Sequence, residues 1–201
     1  MKFLSHPVAG PLAAALLTAT ALSATPAQAA RLHGDYATRL RGLGFTMTLG
    51  PVFDVGSGSG LGDRTFGTDV DTVVRYALPV AQAVRSAGLI PVAKHWPGIG
   101  RGTADPHTAR SDVGSIDRLR SSDLVAFDRA IEGDVPAVMV SHVVVDGLTD
   151  GLPASTTWEV ASASFAMRAR HSRTSGSGPW GMGSPAPWSV IASRVRAATP
   201  R

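Results

Sequence analysis

The strongest constraint on the fold is a repeated order of short apolar segment, polar loop and amphipathic helix. Apolar segments lie at residues 45–49, 89–93 and 137–141, and helices are predicted over 70–87 and 117–131. Strands that alternate with helices predict a parallel sheet with right-handed crossover connections. The strands are short and apolar throughout, as expected when helices cover the sheet. The sequence therefore predicts an α/β fold built from about three consecutive strand–helix units.

Capping residues and glycines mark the ends of the predicted helices. Thr68 or Asp69 supplies a side-chain cap before the helix at 70–87, and a glycine follows the last residue of that helix. Residues 36–43 have the pattern of the end of an earlier helix, which Gly44 stops. A helix is therefore expected before the first strand.

Polar residues follow each apolar segment at the point where the strand is predicted to end. Asp54, the pair Lys94-His95, and His142 occupy these three positions. In parallel α/β folds, the binding and catalytic groups gather at the carboxyl ends of the strands. Because the three positions agree with one another, this edge of the sheet is the predicted site.

Charge is distributed unevenly along the chain. Residues 31–159 hold 12 Lys and Arg against 15 Asp and Glu, a net charge of −3, whereas residues 160–201 hold six Arg and no acid. A nucleic-acid-binding protein carries its positive charge on the folded part, so no nucleic-acid partner is predicted. The chain contains no cysteine, which excludes disulfides, thiolate metal sites and a cysteine nucleophile.

The segment 1–30 has the composition of a secretory signal peptide. Lys2 precedes an apolar run at 12–17, and Ala27-Gln28-Ala29 places small residues where a signal peptidase cuts. The run is too short and too rich in Ala and Thr to span about 30 Å of hydrocarbon, so no stable membrane insertion is predicted. We expect a secreted protein cleaved near Ala29-Ala30, with a retained membrane anchor as the alternative.

The loop after the second strand carries the densest group of reactive side chains. It reads Lys94-His95-Trp96-Pro97-Gly98-Ile99-Gly100 and continues to Asp105-Pro106-His107. A carboxylate two residues from an imidazole fixes the tautomer of the ring and raises its basicity, which suits a general acid and base near neutral pH. For any one of these histidines, the alternative is a solvated loop position without a catalytic role.

This loop closely resembles the signature of bacterial glycoside hydrolase family 3 β-N-acetylglucosaminidases, Lys-His-Phe-Pro-Gly-His-Gly followed by Asp-Ser-His. The resemblance implies that His107 is the acid/base and that Asp105 orients it, where most other glycosidases use a carboxylic acid. It also implies that Lys94 and His95 bind sugar hydroxyls. Ile99 replaces the second histidine of the signature, and a proline stands between Asp105 and His107, on a loop that swings in the family.

Two further motifs resemble the same family and follow in the same order. The stretch Gly62-Asp63-Arg64-Thr65-Phe66-Gly67 resembles the family's Gly-Asp/Glu-Arg-Ser-Phe loop, which implies that Arg64 contacts the substrate. Met139-Val140-Ser141-His142, with Pro153-Ala154-Ser155 downstream, resembles its Met-x-x-His strand end and Pro-Ala-Ser helix start. For His142, sugar binding and a purely structural hydrogen bond are equally open.

The resemblance spans about residues 32–155 and implies part of a TIM (β/α)8 barrel, so the catalytic domain is assigned to residues 31–159. The Asp-x-His loop favours the β-N-acetylhexosaminidase branch, because ordinary family 3 β-glucosidases lack it. Intact members remove terminal N-acetylglucosamine from cell-wall fragments or chitin oligomers with retention. No cofactor and no metal ion are implied.

The sequence also departs from the family in one important respect. The family's aspartate nucleophile ends a strand that follows the Pro-Ala-Ser helix, but residues 160–201 contain no acid. This tail, rich in Arg, Ser, Pro and Gly, is expected to be either disordered or translated from a shifted reading frame. A retaining glycosidase needs two groups on opposite sides of the scissile bond. We therefore expect no measurable hydrolysis; the alternatives are a non-catalytic saccharide-binding fragment and a broken gene product.

Overall fold

The computed structural model describes residues 24–157 and Val160. Single turns of 3-10 helix lie at Gly62–Arg64 and Ala154–Thr156. The regular elements, in chain order, are α1 (Pro26–Gly42), α2 (Val70–Ser86), β1 (Val92–Trp96), β2 (Asp112–Ser115), α3 (Ile116–Arg120), α4 (Asp123–Glu132), β3 (Ala137–Val140) and β4 (Val144–Asp146). The strand–helix–strand unit that runs from β1 through α3 and α4 to β3 is therefore present, as the sequence predicts.

The main sheet is parallel and centred on β1. Strand β3 pairs with one edge of β1, and the segment that precedes α2 lies along the other edge through the isolated bridges Met47–Ile90 and Val52–Lys94. Of the strand predicted at 45–49, only the bridge at Met47 is present among the described residues. The second strand lies three residues further along the chain than predicted, so Lys94 and His95 belong to β1 and do not follow it. Pairing with β3 causes this shift, because β3 extends the ladder as far as Trp96.

Helix α1 begins with a complete capping box. The Thr25 hydroxyl accepts from the backbone N–H of Gln28, and the Gln28 side chain accepts from the backbone N–H of Thr25. Ala29, in the first turn, is fully buried. The helix ends at Gly42, and Gly44 follows with a φ of 90°, as the predicted stop at this position requires. The predicted end of the signal peptide at Ala30 therefore falls inside the first turns of this helix and stays a prediction.

The core lies between α1, α2, α4 and the central sheet. Asp69, one of the two predicted caps of α2, accepts from the backbone N–H of Thr72 at 2.8 Å. Phe53 and Phe127 are fully buried, and their ring centroids lie 6.3 Å apart. The contact between the two rings joins α4 to the segment that precedes α2. Helices α2 and α4 thus pack on the sheet whose strand ends carry the polar residues.

The helix predicted over 117–131 is divided into α3 and α4. The Ser115 hydroxyl caps α3, and the backbone leaves the helical conformation at Ser122, with φ −141° and ψ −88°. Strand β2, just before α3, pairs in parallel with β4 to form a second small sheet. The two loops predicted after β1 and after β3 therefore join each other through backbone pairing.

Large apolar side chains are exposed along the outer edge of the segment before α2. The exposed fractions are 76% for Leu43, 54% for Phe45 and 61% for Leu49. Even-numbered residues of this segment bond to the β1 side, since Ile90 donates to Thr46 and accepts from Thr48. The backbone N–H and C=O groups of the odd-numbered residues therefore face the opposite edge, along which no strand is paired among the described residues. Within the described part of the chain, no helix combines the length and hydropathy needed to cross a bilayer.

Candidate active site

A buried carboxylate anchors the start of the candidate catalytic loop. Asp54 is fully buried and accepts three hydrogen bonds: from His95 N at 3.1 Å, His95 Nδ1 at 2.7 Å and Ile99 N at 2.8 Å. The contacts form because Asp54 follows the segment bridged to β1, so the ends of two neighbouring parallel strands meet there. Asp54 thus fixes both the ring of His95 and the backbone at the start of the loop, residues 95–99, which form the loop root. Only one ring nitrogen of the buried His95 remains available for a sugar.

Two loops pack backbone against backbone above this anchor. Gly58 N donates to Gly100 O at 2.7 Å, and the Ser59 hydroxyl donates to Thr103 O at 3.2 Å. A Cβ on Gly56 would lie 2.3 Å from Gly100 O, so side chains at this contact are excluded. The Gly- and Ser-rich composition of the first loop is therefore explained by its close approach to the loop that carries the Asp–His pair.

Asp105 and His107 form the carboxylate–imidazole pair that the sequence predicts. The Asp105 Oδ1 atom accepts from His107 Nδ1 at 2.7 Å and from the backbone N–H of His107 at 2.9 Å. Pro106 between them does not prevent the pair, because neither of these bonds uses a donor from Pro106. The pair is accessible to solvent, with 62% of the His107 side chain and 45% of the Asp105 side chain exposed. With Nδ1 held by the carboxylate, His107 presents Nε2 outward.

The electrostatics of this pair predict its acid sensitivity. Hydrogen bonds from the backbone N–H and then the ring of His107 hold the pKa of Asp105 below its ordinary value of 3.8. Because the pKa of Asp105 is lowered in the folded state, the pair stabilises the folded loop at pH values above the ordinary pKa of 3.8. This stabilisation is lost as the pH falls through the lowered pKa. In an NMR titration of the Asp105 carboxyl carbon, we expect a midpoint below 3.8. His107→Ala keeps the backbone donor, so the midpoint should move only part of the way back; an unchanged midpoint would contradict the ring contact.

Arg64 places positive charge near Asp105, and Lys94 lies within electrostatic reach of Arg64. Arg64 Nε donates to Leu61 O at 3.1 Å, and Nη2 donates to Gly60 O, so carbonyls of its own loop orient the guanidinium. Burial and the nearby Arg64 lower the pKa of Lys94, against the attraction of the Asp54 carboxylate. Two cations held close together without full solvation are typical of a site that receives oxygen-rich ligands.

A cleft of 540 Å³ lies beside the exposed ring of His107. His142 also lines this cleft, and its Nδ1 forms a hydrogen bond with the hydroxyl of Ser155. The hydrogen bond to Ser155 is the one that a purely structural role of His142 requires. The other ring nitrogen of His142 remains available to a ligand. The complete lining, taken from the described residues, contains no carboxylate and consists of Pro106, His107, Thr108, Ala109, Arg110, His142, Val144, Gly151 and Pro153.

The structure thus gathers the predicted residues into two groups. His107 and His142 share the cleft, whereas Lys94 and His95 lie around Asp54, outside the lining. Arg64 lies within electrostatic reach of both Asp105 and Lys94. Ile99, which stands where the family signature has its second histidine, is buried in the core. Among the described residues, no group of three or more His, Asp or Glu is arranged to hold a metal ion.

Sequence reasoning identified Asp54 as a strand-end residue and missed its role as an anchor. It also missed the contact between Asp123 and Arg101, whose Oδ2 and Nε atoms lie 3.5 Å apart. A serine followed by an aspartate at the start of a helix was the available signal for Asp123. Nothing in the local sequence pattern pointed from Asp123 to Arg101.

Comparison with known proteins gives consistent matches. The family described as "Glycosyl hydrolase family 3 N terminal domain" matches residues 9–161. The beta-hexosaminidase LpqI of Mycobacterium tuberculosis is 40% identical over 134 residues, which cover 65% of this chain and 34% of that protein. A beta-hexosaminidase of Xanthomonas oryzae is 37% identical over 119 residues, 58% of this chain and 36% of its own length. The chain therefore spans about a third of the length of the curated relatives it matches.

Solved structures agree with this result. The structure titled "M tuberculosis LpqI" superposes with a TM-score of 0.68 at 38% identity, over 73% of this chain and 43% of that one. NagZ from Neisseria gonorrhoeae, in complex with N-trifluoroacetyl-D-glucosamine, gives a TM-score of 0.57 at 30% identity, over 63% of this chain and 39% of that one. The neighbours are TIM-barrel-like α/β proteins, so the prediction of a partial (β/α)8 barrel is confirmed.

Proposed function

Since this chain belongs to glycosyl hydrolase family 3, we propose that it carries the acid/base half of a β-N-acetylhexosaminidase site. The ligands would be saccharides that end in N-acetylglucosamine, including cell-wall fragments and chitin oligomers. The observation that carries the proposal is the Asp105–His107 pair, held at 2.7 Å beside an open cleft. The beta-hexosaminidases among its relatives support the same class of ligand.

The chemistry proposed for the pair follows from its geometry. Asp105 holds Nδ1 of His107, so Nε2 is the nitrogen that meets the glycosidic oxygen. His107 would donate a proton to the departing oxygen and later take one from the attacking water. A retaining mechanism also requires a carboxylate about 5 Å away across the bond. Because the described residues that line the cleft include no carboxylate, we propose that this chain supplies one of the two groups.

Binding of the sugar is assigned to the residues around the pair. Arg64 is held by carbonyls of its own loop, and its remaining guanidinium donors suit sugar hydroxyls. Lys94 and the free ring nitrogen of His95 lie at the same edge of the sheet, beside Asp54. His142, which lines the cleft, would contact the sugar through the ring nitrogen that Ser155 does not hold.

The test is an assay of the full chain with a chromogenic N-acetylglucosaminide, combined with ligand-observed NMR for binding. We expect no turnover and weak binding of N-acetylglucosamine oligomers, which His107→Ala and Arg64→Ala each reduce. Glu132→Ala serves as the control, because Glu132 is exposed on α4 and pairs only with Arg129 in the described contacts. Clear turnover that His107→Ala abolishes would contradict the proposal that this chain supplies only one of the two catalytic groups. Absence of any saccharide binding would contradict the proposed ligand class.

Non-catalytic binding is the second candidate function, and the same cleft favours it because the described residues that line it include no carboxylate nucleophile. The six arginines of residues 160–201, which lie outside the described residues, would add affinity for anionic wall polymers. We expect that component to weaken as salt is added and to disappear when 160–201 is deleted, whereas binding in the cleft should persist. Binding to anionic polymers that survives the deletion would contradict the role given to the tail.

We also propose that the chain is exported, on the signal-peptide pattern of residues 1–30. Cleavage after Ala29 would remove Thr25 and its capping box, together with the buried Ala29 itself. The loss of the cap alone should cost about 1 kcal/mol. Intact-mass measurement of the secreted product determines where cleavage occurs. A product that begins at Ala30 and unfolds at the same temperature as the full chain would contradict the structural role of the cap.

A further inference from the structure

A second buried carboxylate lies on the other side of the catalytic loop from Asp54. Asp123, the first residue of α4, is fully buried, and its Oδ2 atom accepts from the Ser122 hydroxyl at 2.7 Å. The same oxygen lies 3.5 Å from Nε of Arg101, whose side chain is 30% exposed. Oδ1 of Asp123 and Nε of Arg101 have no hydrogen-bond partner in the structure. A buried acid left this incompletely satisfied calls for an explanation.

The position of Arg101 in the loop supplies the explanation. The root of the loop ends at Ile99, which Asp54 holds, and Gly102 N donates to Ile99 O at 2.9 Å. Beyond that turn the loop becomes a paired stem, in which Thr103 N donates to Asp112 O at 3.2 Å. Arg101 therefore stands between the anchored root and the stem that presents Asp105 and His107.

Gly98 shows that the contact with Asp123 is built into the loop. A Cβ at Gly98 would lie 2.7 Å from both Cβ and Oδ1 of Asp123, so the backbone of the loop packs directly on this side chain. Asp54 on one side and Asp123 on the other thus enclose the segment from Gly98 to Arg101. Burial raises the pKa of Asp123, and the charge of Arg101 opposes that shift.

We propose that Asp123 and Arg101 act as positioning residues that set where the stem places the Asp105–His107 pair. Asp54 holds the root through three hydrogen bonds, whereas Asp123 holds Arg101 through one long ion contact. The loop can therefore release the contact between Arg101 and Asp123 while Asp54 still holds residues 95–99. The importance of the placement for catalysis rests on the proposed function, but the placement itself is measurable without a substrate.

The test is amide hydrogen exchange of the full chain, read for peptides that cover 101–111. Arg101→Met and Asp123→Asn should each speed exchange in this segment roughly tenfold, while amides of α2 keep their rates. The double variant should show about the same increase as either single variant, because both remove one interaction. Arg101→Lys keeps the charge and should restore part of the protection.

A second readout separates positioning from general loosening. The 15N shift of His107 Nδ1 reports its bond to Asp105, and we expect it to move in both single variants while the unfolding temperature changes little for Arg101→Met. Arg129→Met is the matched control: it removes an arginine from an exposed ion pair on α4 and should leave both readouts unchanged. Exchange that rises equally in α2, additive effects of the two changes, or an unmoved His107 signal would each overturn the proposal. If the loop responds but the unaltered chain binds no saccharide, the proposed function fails while the positioning contact stands.

Discussion

Asp54→Ala is expected to lower the free energy of unfolding by about 3–5 kcal/mol, because it leaves three buried N–H donors without an acceptor. The substitution leaves His95 N, His95 Nδ1 and Ile99 N without their acceptor. The ring of His95 is itself buried, with 8% of its side chain exposed, so water does not easily replace the carboxylate.

Urea unfolding followed by circular dichroism measures this change. Asp54→Asn tests the mechanism, because an amide keeps one acceptor oxygen but turns an NH2 group toward the donors, and we expect an intermediate loss. Asp63→Ala is the control: Asp63 is an exposed aspartate nine residues further along the same loop, and its change should stay within about 0.5 kcal/mol. A loss for Asp54→Ala no larger than that of the control would show that the three bonds contribute nothing to stability.

The features predicted correctly from sequence are those that local residues determine. The cap at Asp69 and the stop at Gly44 lie within a few residues of the backbone groups that they satisfy or release. The Asp105–His107 pair is of the same kind, because its two members are two residues apart and close through a turn. Local spacing was therefore enough to predict this contact.

The features that sequence reasoning missed depend on contacts between distant segments. The partners of Asp54 lie 41 and 45 residues away, and nothing near Asp54 specifies them. Strands β2 and β4 pair only because the loops after β1 and β3 leave the same edge of the sheet. Each is too short to show a period in sequence. The shift of β1 toward its carboxyl end has the same origin, since its register is set by β3.

The two buried aspartates and the tight glycine contact have a common consequence for the site. The cleft itself is open, and its acid/base pair is exposed, so the pair is not positioned by burial. Its position is determined instead at the root of the loop, by Asp54 and Asp123, and along the stem by the neighbouring loop. Changes several residues from His107 should therefore alter the placement of the Asp105–His107 pair.

Gly100→Ala is expected to cost about 3 kcal/mol and to displace the loop that carries His107, because overpacking of backbone cannot be relieved by a rotamer change. A Cβ at Gly100 would lie 2.3 Å from Val55 O and 3.0 Å from Gly56 N. One of the two loops must then move, and the hydrogen bond from Gly58 N to Gly100 O is broken as it moves. Both stability and the 15N shift of His107 should change together.

Gly42→Ala is the matched control, since it makes the same substitution where space is free. A Cβ at Gly42 meets nothing within 4 Å, and this residue ends α1 in helical conformation. Alanine loses less backbone entropy than glycine on folding, so this variant should be more stable by about 0.5 kcal/mol. Thermal unfolding of the two variants should thus shift in opposite directions, with the His107 signal moving only in Gly100→Ala. Equal shifts would mean that the contact between the two loops is looser than the backbone distances state, and that the glycines of the first loop serve only its flexibility.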